Sequence, residues 1–142
     1  MAEFSIIDQY FKRASKSDVS LGIGDDSAIV TPAPSQQLVI CTDILVAGRH
    51  FPLDTTAHAI GWKSVAVNLS DLAAMGAKPH SILLALSLPT VDHGWLAGFS
   101  QGLFDCCDQF VVSLIGGDTT QSSQLTITVT ALGWIEHGQA IM

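Results

Sequence analysis

Glutamate is nearly missing from this chain: of its 13 acidic residues only Glu3 and Glu136 are Glu, and the rest are Asp. Asp suits caps, turns and hard-cation sites, where a short stem fixes the carboxylate close to backbone. The bias points to placed carboxylates rather than solvated helix faces. Basic residues are scarce as well, with six Lys plus Arg against a net charge of -7, and Lys12, Arg13 and Lys16 cluster near the N-terminus. That balance argues against a nucleic-acid surface and means that a polyanionic partner needs a metal bridge.

Other absences narrow the class. No apolar run approaches the roughly 18 residues of a membrane helix, and "MAEFSIIDQYFKR" lacks the basic start and long apolar core of a signal peptide. A cytoplasmic protein with no membrane partner is the expectation. Three cysteines cannot all pair and none forms C-x-x-C, which fits a reducing compartment; adjacent Cys106 and Cys107 read as helix packing. The usual phosphate motifs are missing: "GIGDDS" has Ser27 where a dinucleotide fingerprint needs a third glycine, and no G-x-x-x-x-G-K-[ST] occurs. Glycines 22, 24, 116 and 117 can still present backbone N–H groups to phosphate. No G-x-S-x-G elbow, internal repeat or low-complexity segment is found, and His58, His80, His93 and His137 show no metal spacing.

What is present is apolar: 142 residues at 48% hydrophobic can bury a sizeable core as one domain. Helical spacing of Phe4, Ile7, Phe11 and Ala14 predicts a first helix over 4–15, followed by two short extended pieces in "VSLGIGDDSAIV". "LVICTDILVAG" predicts a strand ending near Thr42 and Asp43; residues 55–76 predict a long helix stopped by Gly76 and Pro79. A buried strand over 80–89 follows, then a helix over 90–110 with Trp95, Phe99, Leu103 and Phe110 inward. "VVSLIGGDTT" reads as a strand leaving through glycines, and 124–138 as an alternating strand. The order αββαβαββ implies an α+β fold, a mixed sheet with helices covering one face. Mean hydropathy is +0.40, so a second copy, a further domain or both are expected to cover this one.

In "AVNLSDLAAMGA", residues 66–77, Asp71 stands alone in an apolar helix, sharing a face with Ser64 and Asn68. One reading is a buried carboxylate satisfied by Ser or Asn. The other takes it with Asp25 and Asp26 in a glycine turn, Asp43 at a strand end and Asp118 after Gly116–Gly117, all aimed at one cleft. Such a set repels itself unless cations intervene, and hard oxygen ligands suit Mg2+, which also binds phosphate. Arg49 beside His50 could reach an anionic ligand.

"LGIGDDSAIV", "CTDILVAGRHF", "AVNLSDLAAMGAKP" and "LIGGDTT", in this order, resemble the N-terminal half of the thiamine-monophosphate kinase family. That family belongs to an ATP-binding superfamily with aminoimidazole ribonucleotide synthetase and selenophosphate synthetase. The resemblance implies Mg2+ ligands at Asp26, Asp43, Asp71 and Asp118, with Thr42 acting through its backbone. It also implies nucleotide contact at Gly117 and Asp118, and a contact from His50 to thiamine monophosphate. Asp25 is expected to support its turn, and Cys41 stands where many relatives carry a hydroxyl residue. The implied reaction is ATP-dependent phosphorylation of thiamine monophosphate to thiamine diphosphate, by a homodimer joined through its sheets. On that reading residues 1–142 are the ATP- and Mg2+-binding N-terminal domain, and the family's C-terminal domain lies beyond them. Another synthetase of the superfamily, or a non-catalytic nucleotide-binding dimerisation module, is the alternative.

Overall fold

Period-two alternation builds most of the sheet. In the computed structural model, which describes residues 3–13, 19–21, 23 and 27–141, it produces strands β3 (Gln36–Val46), β4 (Lys78–Leu88), β5 (Ser113–Gln121) and β6 (Thr126–Glu136). Two short strands, β1 (Val19–Leu21) and β2 (Ile29–Val30), form a separate antiparallel ribbon. The main sheet has the order β3-β6-β4-β5. Its central pairs are antiparallel, whereas β4 and β5 run parallel and are joined through a helix, as a parallel crossover requires.

Two helices cover one face. Helix α2 (Ala57–Ala74) begins at Thr56, whose Oγ1 accepts from the Ala59 N–H at 3.2 Å; α3 (His93–Phe110) begins at Asp92, whose carboxylate accepts from the Trp95 N–H at 3.0 Å. The helices touch almost backbone to backbone. A Cβ on Gly61 would lie 2.1 Å from the Phe99 carbonyl oxygen, and one on Gly102 would lie 1.9 Å from that of His58. Val65 and Leu72 of α2, Phe99 and Leu103 of α3, Ile82 and Leu86 of β4 and Ile127 and Val129 of β6 are buried between the layers. The opposite face of the sheet is open, with Leu38, Ile40 and Ile44 of β3 exposed by 42%, 59% and 56%.

The mixed sheet with helices on one face stands as read from the sequence, with one strand more than αββαβαββ. The first helix is shorter: α1 (Glu3–Ile6) passes into a π-helical stretch, Ile7–Phe11, and extended backbone begins at Lys12. That segment docks on α3, where Phe11 meets Phe99 and Phe104, and Arg13 pairs with Asp108 at 2.8 Å. Phe110 does not face inward. It lies in the last turn of α3 and is 45% exposed.

Candidate functional site

Strand β3 is an edge strand, and its odd-numbered side chains point toward α2. Cys41 and Asp43 therefore meet Asn68 and Asp71 across the strand–helix seam. The Cys41 thiol lies 3.4 Å from the Asn68 carbonyl oxygen and 3.7 Å from its Oδ1. Asn68 is fully buried and donates from Nδ2 to the Ser64 carbonyl at 3.1 Å, while Ser64 Oγ donates to the Gly61 carbonyl at 2.8 Å. This polar chain anchors the helix face on which Asp71 sits.

Asp43 and Asp71 face each other across this seam, close enough for Asp71 to act on the Asp43 carboxyl. Partial burial pushes the Asp43 carboxyl above the usual aspartate range, and the hydrogen bond and negative charge of Asp71 push it further. Burial likewise raises the Cys41 thiol, reinforced by Asp71 and then Asp43. Two carboxylates so close need a proton or a cation between them. Short-stemmed oxygen donors on a rigid strand and helix fit a hard cation such as Mg2+. Among the described residues no group of three or more His, Cys, Asp or Glu could hold a metal by itself.

Several expectations need correction. Asp71 is exposed rather than buried: it lies on the outer side of α2, whose neighbouring Leu72 is the residue turned into the core, so no unpaired buried carboxylate has to be satisfied. Asp43 does not end its strand but lies inside β3, and Asp118 lies inside β5. The acids do not converge on one cleft within the chain. β3 and β5 are opposite edges of the sheet, so Asp43 and Asp118 are separated by three strand spacings, about 14 Å. They also project from opposite faces: Thr119 is buried under the helices, which turns its neighbour Asp118 to the open side. Asp25 and Asp26 lie outside the described residues.

The other predicted positions are placed as follows. Thr42 points to the open face, where its Oγ1 donates to the Val129 carbonyl at 3.2 Å and accepts from Thr130 Oγ1 at 3.0 Å. Gly117 has φ +144, and Asp118 Oδ1 accepts from the Thr119 N–H at 3.0 Å. His50 occupies an exposed turn after β3, tied to Lys63 of α2. The sequence reading passed over Lys63, although it is the only Lys or Arg in α2. A cavity of about 880 Å3 lined by Lys78, His80, Trp134 and Glu136 contains none of these residues.

Residues 24–135 match the family model "AIR synthase related protein, N-terminal domain". The chain belongs to that family. Among AIR synthase related proteins, it is 49% identical over 141 residues to thiamine-monophosphate kinase of Escherichia coli (strain K12), covering 98% of this chain and 43% of the relative. The crystal structure of thiamine-monophosphate kinase from Stenotrophomonas maltophilia K279a superposes with a TM-score of 0.87 at 49% identity, over 99% of this chain and 45% of that one. A further solved structure, AaThiL complexed with AMPPCP and TMP, gives a TM-score of 0.71 at 34% identity over 82% of this chain and 38% of that one. The chain thus spans less than half the length of the relatives it matches. None of the described helices is long and apolar enough to cross a membrane.

Proposed function

We propose that this chain is the N-terminal, nucleotide- and Mg2+-binding domain of a cytoplasmic kinase that transfers the γ-phosphoryl group of ATP to thiamine monophosphate, giving thiamine diphosphate and ADP. The observation that carries the reading is the 49% identity to a thiamine-monophosphate kinase, in a chain that brings Asp43 and Asp71 together across one strand–helix seam. Bound Mg2+ would neutralise phosphate charge as it develops during transfer. Asp43 and Asp71 are its holders, with Asp26 and the Thr42 backbone as further ligands within the chain. Gly117 lets the backbone beside Asp118 approach nucleotide closely. No residue has to remove a proton, because a phosphate monoester with a second pKa of about 6 is already largely dianionic at neutral pH. The work of these residues is to orient and to neutralise.

Asp118 serves this site only if another surface closes over the open face. A second copy laid sheet to sheet supplies one, and the exposed row of Leu38, Ile40 and Ile44 suits it. Ile40→Glu places a charge in that row and is expected to turn a dimer into a monomer in sedimentation equilibrium; an unchanged dimer would place the contact elsewhere. The reaction itself is tested by ADP release from the full-length protein. Release that requires both thiamine monophosphate and Mg2+ supports the reading, and release indifferent to thiamine monophosphate contradicts it.

A further inference from the structure

The turn after β3 is more tightly built than an ordinary surface loop. The Gly48 N–H donates to the Phe51 carbonyl at 3.0 Å, and the N–H groups of Arg49 and His50 both donate to the Val46 carbonyl at 3.1 and 3.0 Å. Phe51 is buried and anchors the far end. The imidazole takes part too: the Val46 N–H donates to His50 Nδ1 at 2.8 Å. A backbone N–H can only donate, so Nδ1 is an acceptor and the neutral ring carries its proton on Nε2. The turn therefore presents an outward N–H donor at Nε2.

Lys63 fixes the same turn from α2. Its Nζ donates to the His50 carbonyl at 2.8 Å, and an ammonium has three N–H donors, so two remain for a ligand. Lys63, Arg49 and His50 are all exposed, so two cationic residues and the neutral His50 donor come from the same turn and the helix beside it in a chain of net charge -7. Val46, which orients the ring, is three residues along β3 from Asp43, about 10 Å. A basic donor end and an acidic cation-holding end thus sit on one strand–helix pair, the arrangement that transfer between two phosphates requires.

We propose that Lys63 is a positioning residue for His50: it holds the turn so that Nε2–H faces the acceptor phosphate, and it adds its own charge to a subsite for a phosphate monoester dianion. This rests on the phosphotransfer reading above. Calorimetric titration of the full-length protein with thiamine monophosphate, unphosphorylated thiamine and Mg2+–AMPPCP tests it, alongside 15N spectra of the histidine rings. Lys63→Ala is expected to weaken thiamine monophosphate binding about tenfold, with thiamine and the nucleotide analogue unchanged, and Lys63→Arg to restore most of the loss. The His50 Nδ1 resonance should keep its unprotonated position in wild type and Lys63→Arg, and change in Lys63→Ala. Unchanged thiamine monophosphate affinity in Lys63→Ala, or an equal loss for all three ligands, overturns the proposal. Failure of the wild type to bind thiamine monophosphate overturns the phosphotransfer reading itself, and this inference with it.

Discussion

Asp71→Asn is expected to move function and stability in opposite directions. Removing one holder of the cation should cost phosphoryl transfer at least about a hundredfold, ~2.7 kcal/mol at 1.36 kcal/mol per decade. The metal-free protein should become more stable, because the substitution removes a carboxylate that repels Asp43. Repulsion between charges that remain in contact with water is worth on the order of 1 kcal/mol or less. Kinase assays and urea unfolding in the presence of a chelator measure the two arms. A structural aspartate gives the reverse pattern, with lower stability and activity lost only in proportion to unfolding.

The pH dependence separates the same alternatives. Burial and Asp71 raise the Asp43 carboxyl in the native state, so between the ordinary value near 3.8 and its raised value the native chain binds more protons than the unfolded one. Its contribution to metal-free stability is therefore fully present below the ordinary value and is lost as pH rises through the raised one. Asp71→Asn should flatten this fall, and Mg2+ should oppose it by taking the proton's place.

Gly117→Ala should be the most damaging substitution for the fold. A Cβ there would lie 1.8 Å from the Leu84 carbonyl oxygen and 2.6 Å from its carbonyl carbon, and φ is +144, where side chains are rarely found. The obstructing atoms are backbone of the paired strand β4, which cannot rotate away. Relief requires β4 and β5 to part beside a register shift already present between Ile82 and Leu83. The expected loss is ~3 kcal/mol or more, a fall in Tm of roughly 10 °C by calorimetry. Gly116→Ala is the control: its Cβ would meet only the Leu83 side chain, at 3.0 Å, which can adjust. Comparable losses in both variants would mean that the Gly117 backbone is not the constraint.

Periodicity made the elements legible because each obeys a local rule. Helix α2 is bounded by a Thr cap and by Gly76, and β6 alternates without interruption, so both fall within two residues of their predicted limits. Asp43 and Asp71 were singled out on other grounds, one as a strand end and one as a lone carboxylate in an apolar helix; that they share a seam follows from the packing of α2 on β3. Strand order is not a local property. Nothing in "LIGGDTT" says that β5 is the edge opposite β3, so the expected convergence of Asp118 with Asp43 failed on topology. The exposure of Asp71 and Phe110 depends on which side of each helix the sheet covers near its C-terminal end, which side-chain spacing alone does not record. Lys63 escaped notice because its partner is a backbone carbonyl, and such contacts leave no signature in side-chain spacing.

The central claim is that Asp43 and Asp71 hold a metal-bound nucleotide. Thermal unfolding of the full-length protein with AMPPCP, with and without Mg2+, in wild type and Asp71→Asn, tests it most directly. Stabilisation that requires both Mg2+ and the analogue and disappears in Asp71→Asn is the predicted result. An equal Mg2+-dependent shift in Asp71→Asn, or no shift in the wild type, would contradict it.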